Sequence, residues 1–213
     1  MGRSIQLDSL YYHVFNKSIG GGLVFETDQY KERFCKSLSY YNQKKIPQRF
    51  SEYLRSSTPS LPPILEFNDH RILKVIAYCI MPDHYHILAK TMELPLLSGY
   101  IKNVEISCTR YYNLTRKRKG PLWQSRFKHV RIQTNAQLLH VSRYIHLNPT
   151  TSSLVSRPEE WKYSSYQDYI APVSVLYKPW NEIAFTSPQQ YKNFVQDRQE
   201  YQKKLRLIKK HLI

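Results

Sequence analysis

Residues 71–90 read RILKVIAYCIMPDHYHILAK, and this stretch decides the fold class. The part from Arg71 to Met81 is rich in β-branched and aromatic residues, which predicts a strand. The turn-forming Met81-Pro82-Asp83 is followed by a second apolar run, His84 to Lys90, which predicts the return strand of a hairpin. Because a tight hairpin joins antiparallel strands, the sheet around it is predicted to be antiparallel and not doubly wound.

Further helices and strands are predicted on both sides of this hairpin. The pattern before it predicts a strand near Tyr11 to Phe15, and then a helix that Thr27 or Asp28 caps and that reaches Tyr41. After the hairpin, Leu94 to Leu114 has the apolar spacing of a helix. Phe127 to Gln133 alternates apolar and polar residues, which predicts a half-buried strand.

A last helix is predicted to begin at a cap on Thr134 or Asn135 and to end at Asn148, because Pro149 disfavours its continuation. The order β-α-β-β-α-β-α predicts an α+β fold, an antiparallel sheet flanked by helices. We expect one domain over residues 1–175, followed by a basic, helical C-terminal extension over residues 176–213.

The charge of the chain indicates the class of its partner. The 213 residues carry a formal net charge of +16, from 32 Lys and Arg against 16 Asp and Glu. Such an excess favours a polyanion, most commonly a nucleic acid. Aromatic residues reach 14%, and their rings suit stacking on unpaired bases, although many of them must pack in the core. The alternative is a basic protein without a nucleic-acid partner.

The cysteines and the hydropathy pattern concern the compartment. Cys35, Cys79 and Cys108 are odd in number and lack metal-type spacing, which predicts buried thiols in a reducing compartment. Residues 1–10 contain no apolar core of signal-peptide length, and no run approaches a membrane span. We therefore expect a cytoplasmic protein without a membrane partner.

Two histidines of the hairpin are candidate metal ligands. His84 and His86 stand at i and i+2 of a strand, so both imidazoles project from one face, while Tyr85 and Ile87 project from the packed face. Neutral imidazole is a common metal ligand. A His-x-His pair also occurs by chance, and the neighbouring Asp83 is interpreted either as an outer ligand or as a turn residue.

The last predicted helix supplies a phenol and an amide. Tyr144 and Asn148 stand at i and i+4, on one face of that helix. If the helix lies over the sheet, Asn148 completes a three-ligand set with His84 and His86. This mixed nitrogen and oxygen set suits Mg²⁺ or Mn²⁺ better than structural zinc. The alternative is a packed tyrosine and an asparagine that caps the helix.

This set of groups suits cleavage of a phosphodiester. A divalent ion would polarise the scissile phosphate, and Tyr144 would be the nucleophile. Attack gives a 5′-phosphotyrosyl link and a free 3′-hydroxyl. Because the link conserves the phosphodiester energy, a second 3′-hydroxyl can reverse the reaction and join strands.

Several segments carry a family resemblance. The segment MPDHYHIL at residues 81–88 resembles the histidine-hydrophobe-histidine motif of the HUH single-strand endonucleases. More closely, the chain resembles the single-tyrosine transposases of that superfamily, specifically the REP-associated tyrosine transposases. The further matching segments are YHVFNK (12–17), TRYYN (109–113), GPLWQSRFK (120–128), RYIHLNP (143–149) and WKYSSY (161–166).

The resemblance, which covers roughly residues 8 to 170, implies a ferredoxin-like antiparallel sheet. It also implies Mg²⁺ or Mn²⁺ on His84, His86 and Asn148, Tyr144 as the nucleophile, and single-stranded DNA beside an imperfect hairpin as the substrate. Asp83 replaces the asparagine that is more frequent in the family, and His146 replaces an acidic residue. His146 is interpreted as an extra proton carrier or as a surface residue.

A cluster of basic residues and one tryptophan is the candidate DNA-binding surface, although a solvated basic face is the alternative. Trp123 has the further alternative of burial under its loop, and the tail lysines and arginines of residues 203–210 could grip hairpin DNA or only solubilise a helix. The DNA-binding candidates are Arg110, Arg116, Lys117, Arg118, Lys119, Trp123, Arg126 and Lys128.

The function predicted is that of a metal-dependent transposase and endonuclease that nicks and rejoins single-stranded DNA near hairpins through Tyr144. A hairpin-binding protein of DNA or RNA without catalysis is one alternative. A hydrolytic nuclease that activates water is another. The sequence leaves both a monomer and a homodimer open.

Overall fold

Four strands form one antiparallel sheet in the order β2-β3-β1-β4. The structure is a computed structural model, and it describes residues 10–56, 60–91, 93–171 and 182–203. The four-stranded antiparallel sheet is the ferredoxin-like sheet that the resemblance implies, and with its flanking helices it confirms the predicted α+β class. The strands are β1 (Leu10–Lys17), β2 (Lys74–Ile80), β3 (His84–Thr91) and β4 (Lys128–Ile132).

The predicted helices α1, α3 and α4 form, α6 lies within the extension predicted to be helical, and the short helices α2 and α5 are added. The main helices are α1, α3 and α4, and α1 begins at Asp28 after the predicted Thr27 N-cap position. Two short 3-10 turns, at residues 19–21 and 158–160, complete the described elements. The helices are α1 (Asp28–Tyr41), α2 (Phe50–Tyr53), α3 (Leu94–Thr115), α4 (Asn135–Thr151), α5 (Tyr166–Ile170) and α6 (Pro188–Gln196).

The two faces of the sheet are covered by different helices. Tyr85 and Ile87 point to the layer of α1 and α3, where the Tyr85 ring lies 4.9 Å from that of Phe34. The alternate residues of β3 point to the other face, where α4 packs over β2 and β3. The pleat thus places His84 and His86 on the α4 side of the sheet, as their spacing predicts.

Strand β4 differs from its prediction as a half-buried strand. Its first four residues are exposed, and Ile132 alone of the five is buried. Among the described elements β4 is an edge strand that pairs only with β1, and α4 lies over the opposite half of the sheet. An alternating sequence therefore indicates the strand correctly, but burial requires a helix layer above it.

Helix α4 also corrects an expectation, because it continues through Pro149 to Thr151. The start of the helix is as predicted, with the Thr134 hydroxyl accepting a hydrogen bond from the Gln137 backbone N–H at 3.2 Å. Residues 147 to 150 are all buried. Packing of this turn outweighs the preference of a residue before proline for extended backbone.

The C-terminal region is described only in part. Helix α6 packs against α4 and α5, and Tyr191 on it is fully buried. Of the basic tail residues, Lys203 is described, while Lys204, Arg206, Lys209 and Lys210 lie outside the described residues. Within the described ranges, no helix has the length and apolar character needed to cross a membrane.

A buried carboxyl on α5 predicts a pH dependence of stability. Burial raises the pKa of Asp168 to about 6 from the reference value of 3.8. Between these two values the folded state binds more protons than the unfolded state, so this group lowers stability as the pH rises. We expect the free energy of unfolding of Asp168→Asn, relative to the unmodified protein, to increase between pH 4 and pH 7 in urea titrations.

The matched control for this prediction is Gln167→Ala, because Gln167 is an exposed neighbour of Asp168 on α5 and has no ionisable group. Its free energy of unfolding should keep a constant offset from the unmodified protein over the same pH range. A constant offset for Asp168→Asn as well would show that Asp168 does not titrate as its burial implies.

Candidate active site

The two hairpin histidines lie side by side at the start of β3. Their ring centroids are 5.0 Å apart with the rings nearly perpendicular. Neighbours on β1 share their face, because Lys17 is the cross-strand partner of His84 and Phe15 that of His86. The chain order around the hairpin thus brings both imidazoles to one point of the sheet.

Each imidazole is held through its Nδ1 atom. Nδ1 of His84 lies 2.5 Å from an Asp83 carboxylate oxygen, and the other Asp83 oxygen lies 3.2 Å from the Lys17 ammonium. Nδ1 of His86 lies 3.0 Å from Nε2 of His13 on β1. A partner on one ring nitrogen fixes the tautomer and orientation of an imidazole, and here it turns Nε2 of both rings away from these partners.

The Nε2 atom of His86 is buried and has no hydrogen-bond partner among the described residues. Leaving such an atom unsatisfied costs about 1–3 kcal/mol. Burial, and then the neighbouring His84 and His13, lower the pKa of His86 well below its usual value, while burial lowers the pKa of His13 to about 4. Both rings are therefore neutral near pH 7, and Nε2 of His86 carries a lone pair in the tautomer whose Nδ1–H donates to His13 Nε2.

Tyr144 meets this pair from α4. Its ring centroid lies 5.3 Å from that of His86, at an angle of 79°, and 6.1 Å from that of His13. The Tyr144 side chain is 42% exposed, whereas Asn148, one turn further along α4, is 6% exposed. The predicted contact between the late helix and the histidine face is therefore present in the structure.

The donor atoms at this point fit a divalent ion. His84 and His86 offer imidazole nitrogens, Asp83 is the carboxylate beside His84, and Asn148, the third predicted donor, stands one turn beyond Tyr144 on α4. Across the described ranges, no group of three or more His, Cys, Asp or Glu side chains forms a metal cluster. A divalent ion held as the sequence predicts would have the Asn148 amide oxygen beside the two imidazoles, a mixed set that suits Mg²⁺ or Mn²⁺.

A buried imidazole fixes the position of α4. His146 is fully buried, and its Nδ1 and Nε2 lie 2.6 Å from the Tyr191 hydroxyl and 2.8 Å from the Ser165 hydroxyl. Burial lowers the pKa of His146 to about 3, so the ring is neutral. His146 is thus neither a surface residue nor exposed for proton transfer, which corrects both interpretations made from the sequence.

The WKYSSY segment connects α4 to the outer edge of β2. Ser165 also accepts a hydrogen bond from the Tyr78 backbone N–H at 2.9 Å, and the Ile80 backbone N–H donates to the Tyr163 carbonyl at 2.9 Å. The Trp161 indole N–H donates to the Ile80 carbonyl at 3.0 Å. The segment that carries the family resemblance here is therefore a brace that holds the Tyr144 helix against the sheet.

Three of the other segments that carry the family resemblance meet around Glu105, a residue that was not predicted from the sequence to be functional. Its Oε1 accepts hydrogen bonds from the Asn16 amide at 2.7 Å and from the Tyr85 hydroxyl at 2.8 Å. Asn16 also donates to the Ser125 carbonyl at 3.0 Å. Burial raises the pKa of Glu105 above its ordinary value. This network supports the histidine face from the opposite side of the sheet.

His13 is the other residue that sequence reasoning missed. It stands in the YHVFNK segment, whose strand assignment was predicted, and a histidine at an inward position of a central strand was the available signal. Its partner is 73 residues away in the chain, so only the register of β1 against β3 brings the two rings together.

The candidate DNA-binding residues lie on different parts of the structure. Lys128 is exposed and is the cross-strand partner of Phe15, so it shares the face of His86, and Arg126 is exposed just before it. Arg110 lies on α3 and lines a groove with Arg33, Arg49 and Arg55, on the helical layer behind the sheet. Basic charge therefore occurs on both sides of the molecule.

The loop after α3 uses part of its charge internally. Arg116 pairs with Glu26, while Arg118 donates to the Asn113 side chain at 2.7 Å and to the Pro121 carbonyl at 3.1 Å. Lys117 and Lys119 are exposed. Arg116 and Arg118 thus stabilise the loop from which the two lysines project.

Trp123 lies buried under this loop, the alternative that the sequence left open. It is 9% exposed, and its ring packs 5.9 Å from Phe25 and 5.6 Å from Tyr85 between centroids. In this position the indole is part of the core and does not offer a face to a base.

Comparison with known proteins finds a similarity to one family. The family model described as "Transposase IS200 like" matches residues 62–148, a range that contains His84, His86, Tyr144 and Asn148. The similarity supports a DNA-processing enzyme of the transposase class.

Two relatives are more specific. One is a Haemophilus influenzae (strain ATCC 51907 / DSM 11121 / KW20 / Rd) protein assigned to the REP-associated tyrosine transposases, to which the chain is 26% identical over 152 residues. The match covers 64% of this chain and 84% of that protein. A solved REP-associated tyrosine transposase bound to a REP hairpin has a TM-score of 0.51 and 15% identity, over 88% of this chain and 92% of that one, and at this identity it shows the fold. These findings confirm the resemblance to the REP-associated tyrosine transposases.

The brace on α4 predicts a stability effect. Ser165→Ala removes one partner of the buried His146 ring and one of the Tyr78 N–H, so we expect the free energy of unfolding to fall by about 1–3 kcal/mol. Ser156→Ala, an exposed serine after α4, should change it by less than about 0.5 kcal/mol. Chemical denaturation of both variants measures this, and equal effects would contradict the role given to Ser165.

The contact of His13 with His86 predicts an effect on Mn²⁺ binding. Outer partners of ligand histidines typically contribute about 10–100-fold to metal affinity. We therefore expect His13→Ala to weaken Mn²⁺ binding within that range, as followed by electron paramagnetic resonance of the free ion. His129→Ala, an exposed histidine on β4, is the control, and an unchanged affinity in His13→Ala would exclude the orienting role.

Proposed function

We propose that the protein is a metal-dependent transposase that nicks and rejoins single-stranded DNA next to hairpins, with Tyr144 as the nucleophile. The observation that carries the proposal is the packing of the Tyr144 ring against His86, whose buried Nε2 has no partner among the described residues. A tyrosine ring packed against an imidazole that has an unpaired nitrogen, on a basic protein, suits attack on a phosphodiester.

The reaction balances with the groups of this chain. The Tyr144 phenol oxygen forms a bond to phosphorus, and the bond from phosphorus to the 3′ oxygen breaks. The phenol proton passes to solvent and the departing 3′ oxygen takes up a proton from solvent, so the departing strand ends in a 3′-hydroxyl. The strand on the other side stays joined to Tyr144 through its 5′-phosphate, and attack by a 3′-hydroxyl on that link restores a phosphodiester.

A divalent ion, Mg²⁺ or Mn²⁺, would supply charge stabilisation to the scissile phosphate when it is bound. His84, His86 and Asn148 would hold it, and Asp83 and His13 keep the two histidines in orientation. The hydrogen bonds of His146 to Tyr191 and Ser165 hold α4, and with it Tyr144, in place. The protein thus sets the distance between the nucleophile and the ligands before DNA binds.

The substrate class follows from charge and from the relatives. One relative of this fold was solved with a REP hairpin, and this chain carries a net charge of +16. We propose imperfect DNA hairpins as the partner, with Lys117, Lys119, Arg126 and Lys128 as exposed phosphate contacts and Arg110 in the groove behind the sheet. A cytoplasmic location stays a prediction, and both a monomer and a homodimer stay open.

The test is formation of a covalent protein–DNA adduct. We expect the unmodified protein with Mn²⁺ to form an adduct with single-stranded DNA that carries imperfect hairpins and randomised flanks, seen on denaturing gels. The released strand should end in a 3′-hydroxyl that a polymerase extends. Tyr144→Phe should reduce adduct to background, whereas Tyr41→Phe, on α1 behind the sheet, should retain it.

Each alternative gives a different result in this assay. A water-activating nuclease would cleave equally well as Tyr144→Phe and would leave free 5′-phosphates. A hairpin-binding protein without catalysis would bind with the same affinity in EDTA and would cleave no member of the pool. Either result would overturn the assignment of Tyr144.

A further inference from the structure

A cavity of about 470 Å³ opens beside Tyr144, on the side of α4 that faces the C-terminal region. Its size lies within the range of small-molecule sites, about 300–1,000 Å³. The lining comes from one face of α4 and from the residues that follow α6. The lining residues are His140, Val141, Arg143, Tyr144, Arg198, Tyr201 and Gln202.

Arg143 makes the inner wall of the cavity cationic. It is 6% exposed, and its guanidinium lies 4.2 Å from the centre of the Phe194 ring. Two of its nitrogens are bonded, to the Phe194 carbonyl at 3.2 Å and to His140 Nδ1 at 2.9 Å, but Nε is buried without a partner among the described residues. A buried charge with an unpaired donor is costly unless an anion completes it.

Arg198 and Tyr201 form the outer wall. The Arg198 guanidinium lies 5.5 Å from the Tyr201 ring centre, and its Nε lies 3.7 Å from an Asp197 carboxylate oxygen. Arg198 in turn is close enough to Arg143 to help lower the pKa of that guanidinium, after burial. The wall therefore holds two like charges near each other and an aromatic ring, Tyr201, that is 54% exposed.

We propose that this cavity binds one unpaired nucleotide next to the phosphate that Tyr144 attacks, with its base on Tyr201 and a phosphate oxygen on Arg198, while Arg143 adds positive charge from the inner wall. The inference rests on the proposed function for the neighbouring phosphate. A nucleotide is the occupant that matches an exposed ring, two guanidinium groups and a nucleophilic tyrosine around one cavity. It would make the cavity a determinant of where the strand is cut.

The test measures base and phosphate contacts separately, without cleavage. Fluorescence anisotropy in EDTA compares a labelled 12-nucleotide oligo(dT) with an oligomer of the same phosphate count whose sugars carry no base. Stacking of one base on an aromatic ring is worth roughly tenfold in affinity. We expect Tyr201→Ala to weaken oligo(dT) binding about tenfold and to leave binding of the baseless oligomer unchanged.

Two further variants separate ring from charge. Tyr201→Phe keeps the ring and should bind oligo(dT) like the unmodified protein, while Arg198→Ala should weaken both oligomers and lower the salt dependence of binding. Arg157→Ala removes an exposed arginine that does not line the cavity and should weaken neither. Thermal unfolding of each variant checks that these exposed substitutions leave the fold intact.

The outcomes distinguish this inference from the proposed function. If Tyr201→Ala changes oligo(dT) binding not at all, or weakens both oligomers equally, the cavity does not hold a base. No binding of oligo(dT) by the unmodified protein would also overturn the inference. Loss of the base preference in Tyr201→Ala, together with no adduct in the Tyr144 assay, would support the cavity and remove the nicking activity.

Discussion

The position of Tyr144 depends on one buried imidazole two residues further along its helix. His146 pairs with Tyr191 from α6 on one side and with Ser165 on the other, and Ser165 in turn bonds the backbone of β2. Because the ring is fully enclosed and neutral, each of its nitrogens needs its partner. The helix that carries the phenol is therefore fixed to the sheet by polar contacts, in addition to apolar packing.

Burial shifts pKa values in opposite directions on the two sides of the sheet, upward for a carboxyl and downward for two imidazoles. Behind it, burial raises the pKa of Glu105, which accepts hydrogen bonds from Asn16 and Tyr85 and so holds the central strands to α3. On the α4 side, burial lowers the pKa values of His13 and His86, so both rings are neutral and each keeps one nitrogen lone pair. Strand β3 thus contributes Tyr85 to the core on one face and two histidine side chains to the candidate site on the other.

The basic charge of the chain is not one surface. Arg116 and Arg118 are tied to Glu26 and to the loop they stand in, and Arg143 is buried beside Phe194. Lys117, Lys119, Arg126 and Lys128 remain exposed to solvent, where a phosphate backbone could reach them. A count of Lys and Arg indicates the class of partner, but contacts within the fold decide which cations face it.

Local pattern was sufficient for the hairpin, the helices α1, α3 and α4, and the shared face of His84 and His86. These features depend on residues a few positions apart, whose side chains the pleat or the helical turn aligns directly. The order of the elements then restricts an antiparallel sheet of this kind to few topologies, which is why the α+β class was predictable.

Contacts between distant segments were decided only by the tertiary structure. The register of β1 against β3 brings His13 to His86, the α4 layer leaves β4 exposed, and packing carries α4 through Pro149. His146 reads as a polar helix residue in the sequence, yet α5 and α6 enclose it. The physical reason is the same in each case: burial and hydrogen-bond partners come from segments far apart in the chain, so no local spacing encodes them.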